Sequence, residues 1–156
     1  MMISIKKPLA FSLLAAATIL LLLPASKATV ESFTVSAGQE ETRALDLASE
    51  DHVQIRFTVT GRTTNVLDFY LTDPDENIMV TFNNTGSVSY AFVCSQQGQY
   101  TLHFSNIASA DDKFVSLDYE IDHYTFGMPQ MLFLTIIIAF ICVAMVAVFI
   151  RMSKHP

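Results

Sequence analysis

From Tyr90 to Asn106 the chain reads Tyr-Ala-Phe-Val-Cys-Ser-Gln-Gln-Gly-Gln-Tyr-Thr-Leu-His-Phe-Ser-Asn, and no other stretch narrows the fold so far. Tyr90, Phe92 and Cys94 occupy alternate positions before Gly98, and Tyr100, Leu102 and Phe104 do the same after it. Successive side chains of a strand point to opposite faces, so each set lines one face of a sheet. A helix would scatter them around its axis. The pattern predicts two strands joined by a short glycine-containing turn, a hairpin that supplies the aromatic centre of a β core.

The alternation continues on either side. Phe33 and Val35 begin a short strand ending near Ala37-Gly38, and Leu45 and Leu47 mark a second. In His52 to Thr60, Val53, Ile55, Phe57 and Val59 point one way, while His52, Gln54, Arg56, Thr58 and Thr60 point toward water. Leu67, Phe69 and Leu71 form the next set, and Ile78, Val80 and Phe82 another. The last strand carries Val115, Leu117, Tyr119 and Ile121 inward, with Ser116, Asp118, Glu120 and Asp122 outward. About eight short strands without helical periodicity predict an all-β antiparallel sandwich, because two half-apolar sheets hide their faces against each other. Alternation leaves the strand order open.

Two apolar segments flank this region. Lys6 and Lys7 precede an uncharged run from Pro8 to Leu23, followed by Pro24 and Ser26-Lys27-Ala28. This is the layout of a secretory signal peptide cut after Ala28. An uncleaved anchor is the alternative, disfavoured because the run falls short of the roughly 20 residues of a comfortable span. Met131 to Ile150 carries no charge, and Arg151 and Lys154 follow it, which predicts a cytoplasmic C-terminus. The expected organisation is a single-pass type I membrane protein: signal peptide 1–28, ectodomain 29–126, juxtamembrane turn and transmembrane helix 127–150, and tail 151–156. The short link between Tyr124 and the span predicts a domain held near the bilayer.

All fifteen acidic residues lie between Thr29 and Gln130, where only Arg43, Arg56, Arg62 and Lys113 oppose them. Four minus fifteen gives −11 there, against −6 for the whole chain. Such a charge argues against nucleic acid as a partner and repels anionic headgroups; cationic partners or divalent ions are compatible with it, and solubility alone also explains it. Cys94 is the one thiol in this region and Cys142 lies in the span, so no disulfide can close the ectodomain. Cys94 shares the phase of Tyr90 and Phe92, which predicts a buried small hydrophobe; an intermolecular bridge is the alternative.

Phe92…Gly98-x-Tyr100-x-x-His103-Phe104-Ser105-Asn106 resembles the F…G-x-Y-x-x-C-F-S-N signature of the GOLD (Golgi dynamics) domain, found in transmembrane cargo receptors of the early secretory pathway. Phe33-x-Val35…Gly38, the Val53 to Val59 strand, Asp73-Pro74, Lys113-x-Val115 and Leu117-Asp118 fall in the family's order. The resemblance covers about Phe33 to Tyr124 and the layout of signal, ectodomain, span and short tail. It implies a membrane-anchored recognition domain in a reduced form. Where the family's disulfide would sit, this chain has His103 and, near the first cysteine, Thr42 to Ala44. The coiled-coil stalk and the coat-binding tail signals are also missing.

No catalytic constellation is visible: there is no His-Glu-x-x-His, no Gly-x-Ser-x-Gly and no phosphate-binding glycine loop. The chain does not read as an enzyme, and neither a cofactor nor a metal is expected. His52, His103 and His123 fall on polar strand faces and read as surface residues rather than zinc ligands, with proton sensing by His103 or His123 as the alternative. Asp73-Pro74-Asp75-Glu76-Asn77 offers calcium-type oxygens, yet its composition is that of an ordinary turn, and the turn is favoured. Asp118, Glu120 and Asp122 make an acidic stripe, either a docking surface for a basic partner or a solvated face. Asn83-Asn84-Thr85 is an N-glycosylation sequon in a predicted turn. Tyr124 and Phe126 read as anchors at the membrane interface.

The function expected is a membrane-anchored protein-recognition module, a receptor or adaptor for extracytoplasmic or cargo proteins. The alternative is an accessory subunit of a membrane complex held through its transmembrane helix. The partners expected are the lipid bilayer and a protein, with the compartment set by the host: cell membrane in a prokaryote, endoplasmic reticulum or Golgi in a eukaryote.

Overall fold

The structure, a computed structural model, describes residues 28–153. The expected signal peptide, apart from Ala28, and the tail beyond Ser153 lie outside the described residues. Eight main strands follow one another: β1 (Thr29–Val35), β2 (Glu40–Leu47), β3 (His52–Gly61), β4 (Leu67–Thr72), β5 (Ile78–Thr85), β6 (Ser87–Val93), β7 (Gly98–Ser105) and β8 (Lys113–Asp122). They form two antiparallel four-stranded sheets, ordered β1-β8-β3-β6 and β2-β7-β4-β5. The all-β sandwich read from the alternation is what the chain adopts.

The expected hairpin across Gly98 is not formed. β6 pairs with β3, whereas β7 lies between β2 and β4, so the two strands belong to opposite sheets. Period-2 alternation is satisfied equally by a hairpin and by an arch that carries the chain from one layer to the other. Ser95-Gln96-Gln97 makes the arch. Among these eight strands, β4 and β5 are the one consecutive pair that lies side by side in a sheet.

The core between the sheets is aromatic, as expected. Phe57 of the first sheet meets Phe69 and Phe104 of the second at centroid distances of 4.9 and 5.2 Å, and Phe33 meets Phe104 edge-on at 5.1 Å. Tyr100 is fully buried and donates its hydroxyl hydrogen to Gln96 O at 3.1 Å. Cys94 is buried and free, which fits its reading as a small core residue. Burial, and next the negative charge of Asp51, push its thiol up to about 11.

The C-terminal part begins with a minimal ladder between Tyr124–Thr125 (β9) and Met128–Pro129 (β10). Phe126 and Gly127 between them have φ of 54° and 70°, the left-handed pair that a two-residue turn needs. Helix α1 (Gln130–Ser153) follows and runs past the expected boundary at Ile150. Gln130–Val148 is long and apolar enough to cross a membrane, with mean hydropathy 3.0. Ile136, Phe140, Ile141, Val143 and Val148 are exposed around the helix, the all-round apolarity of a helix that needs a hydrophobic surrounding.

Candidate functional site

The outward face of the first sheet holds the acidic stripe. Strand register places Asp118 opposite Arg56, Glu120 opposite Gln54 and Asp122 opposite His52. β6 extends the same rows on the far side of β3, with Ala91 beside Gln54 and Val93 beside His52. At this end of the sheet a shallow groove of about 320 Å³ runs over His52, Gln54, Ala91, Val93, Glu120 and Asp122. The three stripe residues therefore divide. Asp118 faces Arg56 at 3.7 Å, whereas Glu120 and Asp122 border the groove. Val93 is a half-exposed apolar side chain at its rim, on a strand whose outer edge has no neighbour among the described residues.

His52 and His123 are exposed, as read from the sequence, while His103 is partly buried, and each of the three has a partner. His103 does lie on an outward face, that of the second sheet, but Glu40 Oε1 sits 2.9 Å from its Nδ1 and Thr72 Oγ1 sits 3.3 Å from its Nε2. The Tyr70 ring stacks on it at 4.2 Å, and Tyr70 donates its hydroxyl hydrogen to the same Glu40 oxygen at 3.0 Å. Burial and the Glu40 carboxylate both raise the Tyr70 pKa. Three strands are thus clasped through one carboxylate. His123 Nδ1 lies 2.9 Å from Oδ1 of the buried Asp51, whose other oxygen accepts the Ala48 N–H. His52 stacks on Tyr124 at 3.9 Å.

The Asp73–Asn77 segment behaves as a turn. Asp73 Oδ1 accepts the N–H groups of Asp75 and Asn77 at 2.9 and 2.8 Å, and Asn77 Nδ2 donates to Oδ2 at 3.1 Å. The Asn77 side-chain bond, foremost, holds the Asp73 carboxyl below its usual range. Among the described residues, no group of three or more His, Cys, Asp or Glu side chains converges as for a metal. Asn83 lies at the end of β5 rather than in the turn itself, and it is exposed.

A family model described as emp24/gp25L/p24 family/GOLD matches residues 32–131. The chain belongs to this family. GOLD domains are protein-binding, cargo-receptor modules. No curated protein matches the chain. Among solved structures it is similar to Aeromonas hydrophila PliG, a periplasmic lysozyme inhibitor of g-type lysozyme, at 13% identity and TM-score 0.46, over 64% of this chain and 92% of that one. It is also similar to the Yersinia pseudotuberculosis-derived mitogen, at 8% identity and TM-score 0.45, over 65% and 91% of the two chains.

The GOLD signature residues have structural tasks here. A Cβ on Gly98 would stand 2.7 Å from Pro74, so the arch into β7 admits no side chain at that position. Phe104 fills the core, and the buried Asn106 donates through Nδ2 to the carbonyls of Val35, Ser36 and Asp111. His103 stands directly opposite Thr42 across the β2–β7 ladder. The GOLD disulfide implied by the resemblance maps onto this pair of neighbouring strands, and the clasp to Glu40 and Tyr70 occupies its place.

Proposed function

We propose that this GOLD protein is a membrane-anchored recognition module, a receptor or adaptor that captures a basic protein partner through the groove of its first sheet. In this reading α1 spans the membrane, the sandwich lies outside the cytoplasm and residues 151–156 lie inside. The observation that carries it is the groove, where Glu120 and Asp122 border small and apolar side chains beside an open strand edge. An extended segment laid along β6 would satisfy that edge and set alternate side chains over the groove. Lysine or arginine in the segment would meet the carboxylates, and the net charge of −11 over Thr29 to Gln130 would speed the encounter.

The test is capture from detergent extract by the full-length protein, with the partner identified by mass spectrometry. Reversing Asp118, Glu120 and Asp122 to lysine should weaken capture, and more so at low salt, where charge pairing is least screened. Replacing α1 with an unrelated apolar helix should leave it intact. The opposite pattern would support the second reading, an accessory subunit held through its helix, which the all-round apolar surface of α1 favours.

A further inference from the structure

We propose that Asn83 is the acceptor of an N-linked glycan, and that the glycan covers the β5 edge of the second sheet. Asn83-Asn84-Thr85 is the chain's one Asn-x-Ser/Thr sequence. It lies at the end of β5, which pairs with β4 and, among the described residues, has no strand on its other side. Opposite it the ladder slips: Leu67 faces Thr85 and Phe69 faces Phe82, so Asp68 alone opposes both Asn83 and Asn84. This is a β-bulge, a device that re-aims side chains at sheet edges. Asn84 takes the left-handed conformation, φ 53°, which asparagine tolerates, and its N–H donates to Asp68 Oδ1 at 2.7 Å.

The bulge explains Asn84 and Asp68 but makes no demand on Asn83. Asn83 is exposed, and among the described residues no hydrogen bond involves its side chain. Thr85, the second recognition residue of the sequon, donates its hydroxyl hydrogen to Ser87 O at 3.0 Å. That bond closes only with the turn, so transfer belongs to the interval before the turn folds. The same edge carries Ile78, 63% exposed, and Met79, a combination that invites pairing with another chain. A bulky, soluble glycan at Asn83 blocks that approach and leaves the first sheet as the free face.

In the transfer, Asn83 Nδ2 attacks the anomeric carbon of a polyprenyl-phosphate-linked oligosaccharide. The N–C bond forms as the bond from that carbon to the phosphate oxygen breaks. The lipid phosphate leaves with the electron pair, Nδ2 loses one proton, and nothing is oxidised. The inference rests on the extracytoplasmic placement of the sandwich.

The full-length chain, with its own N-terminus, is expressed in cells that possess an oligosaccharyltransferase, and the Asn83 peptide is weighed. The expected result is a mass gain of one glycan, lost in Asn83→Gln and Thr85→Ala and kept in Thr85→Ser. Ile107→Asn completes a second sequon with Ser109 in an exposed loop and reports topology independently. A modified loop with a bare Asn83 would overturn the glycan and leave the topology standing. Two bare sites would overturn both. If Asn83→Gln is no more prone to concentration-dependent association than the glycosylated protein, the covering role is wrong.

Discussion

Lys113 occupies a core position of β8, in phase with Val115 and Leu117, and is fully buried. An unpaired ammonium there would be untenable. Its Nζ instead donates to Thr64 O, Thr64 Oγ1 and Asp111 Oδ2 at 2.8, 3.0 and 3.0 Å, locking two loops to the strand. Lys113→Ala should destabilise the protein by about 2–4 kcal/mol, because it leaves a carbonyl unpaired and a cavity behind; urea denaturation measures this. The Thr63 hydroxyl, followed by Lys113, holds the Asp111 carboxyl well below the usual range. A depressed carboxyl contributes stability above its unfolded pKa, about 3.9, and the contribution fades as pH falls through the folded value. Asp111→Asn should flatten the acid limb of a stability-against-pH curve. Cys94 acts at the other end. Its raised pKa favours the fold below the unfolded value, about 8.5, and loses that advantage as pH rises toward 11. Cys94→Ala should remove this alkaline slope, and the native thiol should resist alkylation at pH 8. Most inward residues were legible from period-2 alternation, but Ile78 of the apolar set is exposed, and Lys113 was not read as inward although it shares the phase of Val115. Its partners were not legible, because Thr64 is 49 residues away and reaches it only through loop geometry.

Strands were legible as segments and illegible as neighbours. All eight appear where alternation put them, yet the Tyr90 to Asn106 pair separates into opposite sheets. A sequence pattern reports which face of a strand is apolar and is silent on which layer that strand joins. The same gap hid the clasp of Glu40, Tyr70, His103 and Thr72, which exists only because β2, β7 and β4 are adjacent. The groove was half legible: Glu120 and Asp122 shared a face on paper, but His52, Ala91 and Val93 join them through β3 and β6. The register supports a direct prediction. Thr42 and His103 face each other, and opposed residues in an antiparallel pair are about 4.5–5.5 Å apart, within disulfide reach. Thr42→Cys combined with His103→Cys should form a bridge under oxidation, read as a loss of two hydrogens in mass. It should add about 2–4 kcal/mol, reversed by reductant. Glu40→Gln alone should cost about 1 kcal/mol, the scale of a partly exposed hydrogen-bonded pair.

The whole chain joins an acidic sandwich to an apolar helix with Arg151 in its last turn. The proposed orientation predicts that protease added outside sealed right-side-out vesicles removes the sandwich and spares a tag fused after Pro156. A protected sandwich would reverse the assignment. The order of strands has a consequence in time. β1 is completed by β8, with Thr29 opposite Tyr119, and β2 by β7, with Glu40 opposite Ser105. Of the eight sandwich strands, β4 and β5 alone can zip up as they are made. Such long-range pairing means high contact order and slow folding, and it leaves the early strands waiting for late ones. Synthesis must reach the doorstep of the helix before the first sheet can close, so the sandwich is finished at about the moment its anchor is made. Until β7 and β8 are made, β2 and β1 in turn stay open to whatever else is nearby, so a chaperone that shields extended chain would act at the N-terminal end first.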